Sequence, residues 1–157
     1  MPGAAPPSTS PSPRIQATGT GTPVPLFVVE DNPGDILLLR EALKAHGLEA
    51  DITTATTGEE AIATVEAVDR DPNMQCPRMI ILDLNLPRKH GFEVLTAIRK
   101  STRCGAIPVV ILSSSNTAVD REIGLRLGAN EYLRKPTDLS AMLRIGAVIK
   151  TILETYT

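Results

Sequence analysis

From Leu26 onward the chain alternates short, nearly continuous apolar runs with longer stretches whose apolar residues recur at helical spacing. Continuous runs predict strands buried on both faces, and their alternation with helices predicts βαβ units and a parallel sheet. The expected strands are Leu26–Glu30, Asp51–Ala55, Arg78–Leu82, Val109–Leu112 and Glu131–Leu133. The helices between them carry start and stop signals. Asn32-Pro33 supplies an N-cap and a first-turn proline, and Gly47 follows the last turn. Thr57-Gly58-Glu59-Glu60 reads as a capping box, with Ile62, Val65 and Val68 behind it. A third helix over 91–100 buries Val94, Leu95 and Ile98. A fourth, starting near Asn116, buries Val119, Ile123 and Leu127 before Gly128, and the last runs from Asp138 to Glu154. The sum is an α/β fold, five βα units wound on both sides of one parallel sheet.

Composition changes this picture at one end. Residues 1–25 hold seven of the 13 prolines, three of the 11 glycines and seven Ser or Thr, with Arg14 their one charged side chain. Such a segment cannot build a core and is expected to be a flexible, partly polyproline-II tail. Residues 26–157 then form one domain. The formal net charge of −2 and the lack of a basic block exclude electrostatic binding to nucleic acid or anionic lipid as the main task. No apolar run nears the roughly 18 residues of a membrane helix, and Met1 to Pro13 has no secretory apolar region. A cytoplasmic location is expected.

In a doubly wound sheet, chemistry collects at the carboxyl ends of the strands. The polar residues fall there: Glu30-Asp31 after the first strand, Asp83 and Asn85 after the third, Ser113-Ser114-Ser115 after the fourth, Lys135-Pro136 after the fifth. The second strand adds only Thr56 and Thr57. Glu30, Asp31 and Asp83 in one crevice would repel one another unless a cation neutralised them, and Mg²⁺ suits an all-oxygen set of carboxylates, a carbonyl and waters. A hydroxyl from the fourth strand and an ammonium from the fifth would complete a cradle for a phosphoryl group, with a central aspartate as nucleophile.

Four segments, Val28-Val29-Glu30-Asp31-Asn32-Pro33, Ile80-Ile81-Leu82-Asp83-Leu84-Asn85-Leu86-Pro87, Pro108-Val109-Val110-Ile111-Leu112-Ser113-Ser114-Ser115 and Gly128-Ala129-Asn130-Glu131-Tyr132-Leu133-Arg134-Lys135-Pro136, resemble the receiver domain of two-component response regulators. The resemblance covers residues 26–157. Glu30 to Asp35, the Leu-Asp-Leu-Asn-Leu-Pro run and the long loop Asp69 to Pro77 are most similar to the phytochrome-associated, single-domain members. It implies a CheY-like, flavodoxin-like sheet in strand order 2-1-3-4-5. It also implies that Asp83 accepts a phosphoryl group from a sensor histidine kinase, with a kinase of phytochrome type as the expected donor. Asp31 and Asp83 would bind Mg²⁺ directly, Glu30 through water, and Asn85 by its backbone carbonyl. Ser113 would hydrogen-bond the phosphoryl oxygens, Lys135 would pair with Asp83 and then the phosphate, and Tyr132 would turn inward as Ser113 moves. The Lys135–Pro136 bond would be cis, and the first helix (Pro33, Ile36, Leu37) and the Pro136-Thr137 loop would dock partners.

Several positions depart from the family pattern. Ser113 stands where Thr is commoner and lacks the methyl that would tighten coupling to Tyr132. His90 replaces an acidic loop residue and reads as a solvated helix-start residue; His46 reads as a helix C-terminal residue favoured by the dipole. Cys76 and Cys104 both precede strands, at the sheet end away from the carboxylates, and are expected to be reduced thiols. In the last helix ten of the 16 residues from Leu139 to Glu154 are apolar, more than one core stripe needs. A second stripe is therefore expected to serve a homodimer through the face made by the fourth helix, fifth strand and fifth helix. Since the sequence ends with that helix, the expectation is a stand-alone phosphoacceptor switch rather than an enzyme. Two other readings stay open: a haloacid-dehalogenase-type phosphatase, which wants Asp where Asn85 stands, and an unphosphorylated pseudo-receiver docking module.

Overall fold

The computed structural model describes residues 22–115 and 117–156. Its elements are β1 (Val24–Val29), α1 (Pro33–Ala45), β2 (Ala50–Ala55), α2 (Gly58–Arg70), β3 (Met79–Leu82), α3 (Gly91–Lys100), β4 (Val109–Ser113), α4 (Ala118–Arg126), β5 (Glu131–Arg134) and α5 (Leu139–Thr155). All strand pairs are parallel, in the order β2-β1-β3-β4-β5. The tail expected over 1–25 lies outside the described residues up to residue 21, and β1 opens earlier than expected, with Val24 paired to Ala50.

The two-residue period of the central strands divides the core. Phe27, Val29, Ile80, Leu82, Val109 and Ile111 face α2 and α3. Their alternates Leu26, Val28, Met79, Ile81, Val110 and Leu112 face α1 and α5. Because successive side chains point to opposite faces, continuous apolar runs fill both layers at once. Caps stop the helices where expected. The Asn32 side chain accepts from the Gly34 and Asp35 amides, and Gly47 takes φ 73° after α1. At α2 only half the expected box forms. Thr57 accepts from the Glu60 amide, but the Glu60 carboxylate turns back to the amide and hydroxyl of Thr56.

Three expectations are corrected. Asn116 lies outside the described residues, and α4 is capped by Thr117. Along α4, Val119 and Ile123 are exposed and Leu127 is only partly buried; the residue that meets the core is Gly124. A Cβ at Gly124 would stand 2.7 Å from Ile111 Cδ1 and 3.3 Å from Tyr132 Cδ2. The helix thus approaches the sheet through the absence of a side chain, leaving its apolar residues outward. Cys76 and Cys104 form a disulfide, with Cα atoms 5.6 Å apart. The compartment default says nothing of geometry, and pairing of β3 with β4 brings the two preceding loops together. Arg103 reinforces the junction, donating to the carbonyls of Val68, Asp71 and Met74. Finally, no peptide bond among the described residues is cis, so Lys135–Pro136 is trans. A prolyl amide prefers trans by about 0.5–1 kcal/mol, so proline does not itself impose the cis form.

Candidate functional site

The site residues stand at or just beyond the carboxyl ends of the strands, Ser113 as the last residue of β4 and Tyr132 within β5, and main-chain bonds continuing from the sheet hold them. The Glu30 amide donates to the Ala55 carbonyl at 2.9 Å and the Asp83 amide to the Val29 carbonyl at 3.0 Å, which sets both side chains at the same end of the sheet. Gly91 supports the second of these. A Cβ there would lie 2.6 Å from Leu84 Cα and 2.8 Å from the Asp83 carbonyl oxygen, so only glycine lets α3 start this close to the chain after β3. The Lys135 amide donates to the Ser113 carbonyl at 2.8 Å, which brings the β5 end to the same crevice.

Glu30, Asp31 and Asp83 converge as expected, with one carboxylate oxygen of each within 4.8 Å of the others. Glu30 and Asp83 are buried and Asp31 is exposed. Lys135 reaches into the crevice, its Nζ 2.7 Å from Glu30 Oε1 and 3.1 Å from Asp83 Oδ2. A fourth carboxylate was not singled out by the sequence: Asp35 Oδ2 also lies 2.7 Å from Lys135 Nζ. Its place at the end of the Glu30-to-Asp35 run and in the first turn of α1 are the signals that point to it. A void of about 10 Å³ lies between Lys135 and the core residues Leu39, Ile81 and Leu112; Asp31, Asn85 and Ser113 do not line it, so it is a packing gap behind the site.

The remaining candidates surround this centre. Asn85 donates its amide to Asp83 Oδ1 at 3.2 Å and its side-chain Nδ2 to Ser114 Oγ at 3.4 Å. Ser113 is fully buried, and its Oγ accepts from the Ser115 amide at 3.2 Å. The Tyr132 ring is already buried, and its hydroxyl donates to the Ser115 carbonyl at 3.0 Å. The two residues therefore meet through the backbone of Ser115, whose side chain donates to Asp120 in α4. This route does not need the methyl that Ser113 lacks. His90 is exposed and caps α3, accepting from the Phe92 amide while its own amide donates to Glu93. His46 caps α1, with Nε2 2.7 Å from the Leu143 carbonyl of α5.

Electrostatics make the crevice a place of unbalanced negative charge. Burial pushes the Glu30 carboxyl up to about 7 despite its bond from Lys135, with the Asp83 charge adding to the rise. Lys135 is held above its ordinary value by Asp35, Glu30 and Asp83, which outweigh its own burial. A raised carboxyl value means that between about 4.5 and about 7 the native state holds a proton that the unfolded chain has lost. Without divalent cation, stability should therefore fall as pH rises from 5.5 to 7.5, by about 1 kcal/mol once screening by nearby water is allowed for. Asp69, held low by Ser101, acts in the opposite sense only at more acid pH. Urea midpoints at pH 5.5, 6.5 and 7.5 test this; a flat or rising series would refute it, and saturating Mg²⁺ should flatten the slope.

Comparison with known proteins places this geometry in context. The sequence profile described as the response regulator receiver domain matches residues 26–145. Response regulator Rcp1 of Synechocystis sp. is 33% identical over 136 residues, which span 86% of this chain and 92% of Rcp1. The crystal structure of the phosphorylated cyanobacterial phytochrome response regulator RcpA superposes with a TM-score of 0.76 at 34% identity, covering 87% of this chain and 97% of RcpA. The Mn²⁺-bound form of Rcp1 gives 0.75 at 33% identity, over 86% and 98% of the two chains. The receiver domain of sensor histidine kinase PA1611 from Pseudomonas aeruginosa, with magnesium in its active-site cleft, gives 0.66 at 25% identity, over 86% and 98%.

Proposed function

Since the chain belongs to the response regulator receiver domain family, a family of phosphoacceptors in two-component signalling, we propose that Asp83 is its phosphoacceptor and a sensor histidine kinase its donor. The observation that carries the assignment is the Lys135 ammonium bridging Asp83 and Glu30 at the carboxyl end of the sheet. In the proposed step an Asp83 carboxylate oxygen attacks the phosphorus of a phosphohistidine and the P–N bond breaks. The imidazole nitrogen leaves with the electron pair, and a proton from solvent neutralises it.

The acidic cluster offers only oxygen donors, which suits a hard divalent cation, and we infer that Mg²⁺ is the ion used. Asp31 and Asp83 would hold it directly, with the Asn85 main-chain carbonyl, and Glu30 through water. Bound there, it neutralises charge on the transferring phosphoryl group. Ser113 is assigned the hydrogen bond to a phosphoryl oxygen, and Lys135 the ion pair to it. Tyr132 reports the state of Ser113 through Ser115 to α4. Slow hydrolysis of its own aspartyl phosphate is the one turnover proposed. Asn85 in place of a second aspartate disfavours a haloacid-dehalogenase-type phosphatase, and the complete Glu30, Asp31, Asp83, Ser113 and Lys135 set disfavours a pseudo-receiver. Incubation with labelled acetyl phosphate, with Mg²⁺ or with chelator, tests the reading. Metal-dependent labelling supports it, and equal labelling in both arms sinks it.

The expected domain over 26–157, where the profile match starts, we extend back to Val24, which β1 pairs with Ala50, and we propose that an extension precedes it. A cytoplasmic location is consistent with the lack, among the described residues, of any helix long and apolar enough to cross a membrane. The kinase is proposed to be of phytochrome type on the likeness to the phytochrome response regulator RcpA. Edge strand β5 is flanked by exposed apolar residues, Val119 and Ile123 on α4 and Leu139 and Val148 on α5. They support a symmetric dimer of this chain across that edge. Sedimentation should show dimer formation strengthened by beryllofluoride; a monomer with and without it removes the dimer.

A further inference from the structure

We propose that Asp35 is a positioning residue that competes with the phosphoryl group for Lys135 and so shortens the life of the phosphorylated state; the inference rests on the reading of Asp83 as phosphoacceptor.

An ammonium has three protons to donate. Lys135 has three carboxylate partners, with Nζ 2.7 Å from Glu30, 2.7 Å from Asp35 and 3.1 Å from Asp83. The contacts to Asp35 and Asp83 are hydrogen bonds and that to Glu30 is a close ion pair, so the ammonium is already enclosed by carboxylates, and Asp83 is the partner held least closely. A phosphoryl group on Asp83 must therefore displace a partner to gain a contact from Lys135.

The three partners are not equivalent in this exchange. Glu30 and Asp83 belong to the acidic cluster that suits a divalent cation, so each has another positive partner available. Asp35 lies outside that cluster, and no other cation of the described residues bonds to it. Its backbone is pinned in the first turn of α1 because its amide donates to the Asn32 side chain at 3.2 Å. The side chain is partly buried beside a largely buried ammonium, where opposite charges attract more strongly than in open water. Asp35 thus keeps its hold on Lys135 when the other two carboxylates turn to the cation and the phosphoryl group. Its own negative charge also repels the phosphoryl oxygens.

The test is calorimetric binding of beryllofluoride at saturating Mg²⁺, paired with the half-life of the acetyl-phosphate-labelled protein. Asp35→Asn keeps shape and removes charge; it should bind beryllofluoride about fivefold more tightly and hold label correspondingly longer. Asp35→Glu keeps the charge and should gain less than Asp35→Asn. A gain of affinity cannot come from a damaged fold, so the sign of the change separates this role from a structural one. Unchanged or weaker binding by Asp35→Asn, with the parent binding normally, overturns the competition alone. A parent protein that binds no beryllofluoride overturns the phosphoacceptor reading, and this inference with it.

Discussion

Asp83→Asn is expected to abolish labelling by acetyl phosphate or by a phosphorylated histidine kinase, lowering the initial rate by at least about a hundredfold. The amide has no anionic oxygen to attack phosphorus, while its shape is close to that of the carboxylate. Its side-chain oxygen can still accept the Asn85 amide proton, as Asp83 Oδ1 now does at 3.2 Å. The loss should therefore not come from unfolding. Four carboxylates share this crevice with one ammonium, which touches three of them; removing Asp83 relieves repulsion, so the variant should unfold at equal or higher urea than the parent when no metal is present. Label uptake by Asp83→Asn as fast as the parent's would refute the assignment. Slow residual uptake would locate a secondary acceptor among Glu30 and Asp31.

Opening the Cys76–Cys104 bond is expected to cost about 3.5 kcal/mol of stability, the loop-closure entropy restored to an unfolded chain freed of a cross-link. The sequence separation of 28 sets that scale. The closed loop contains β3, Asp83 and α3. A domain of this size has only about 5–15 kcal/mol in total, so the shift in urea midpoint should be plain. Arg103 still ties the two loops through Val68, Asp71 and Met74, so the reduced protein should remain folded at room temperature. Urea titration with and without a phosphine reductant checks this. The double variant Cys76→Ser, Cys104→Ser should match the reduced parent and ignore reductant. If the parent ignores reductant too, the bond contributes nothing. In a reducing cytoplasm such bonds are rare, and the reduced form is then the one whose stability matters.

Legibility in the sequence followed the range of each interaction. Strand ends were readable because each carboxylate or hydroxyl stands directly after its own apolar run. The caps at Asn32 and Thr57 were readable because their bonds span two or three residues. Helix α4 was misread for a physical reason: periodicity marks where apolar residues lie but not which face docks. The docking face there is a glycine, silent in any hydrophobic pattern. The Glu60 carboxylate chose the Thr56 amide over its expected partner, a difference of one residue that spacing cannot resolve.

By itself the sequence determined the five βα units, the two-layer core and the gathering of carboxylates, hydroxyl and ammonium at one end of the sheet. These follow from local propensity, from side-chain period and from the rule that parallel strands end on one side. Tertiary structure alone decided the partners: Asp35 with Lys135 across 100 positions, Cys76 with Cys104, Tyr132 and Ser113 through Ser115. Charge pairing and covalent bonding depend on distances of a few ångströms between elements far apart in the chain. Packing of those elements sets such distances, and no pattern along one strand or helix contains them.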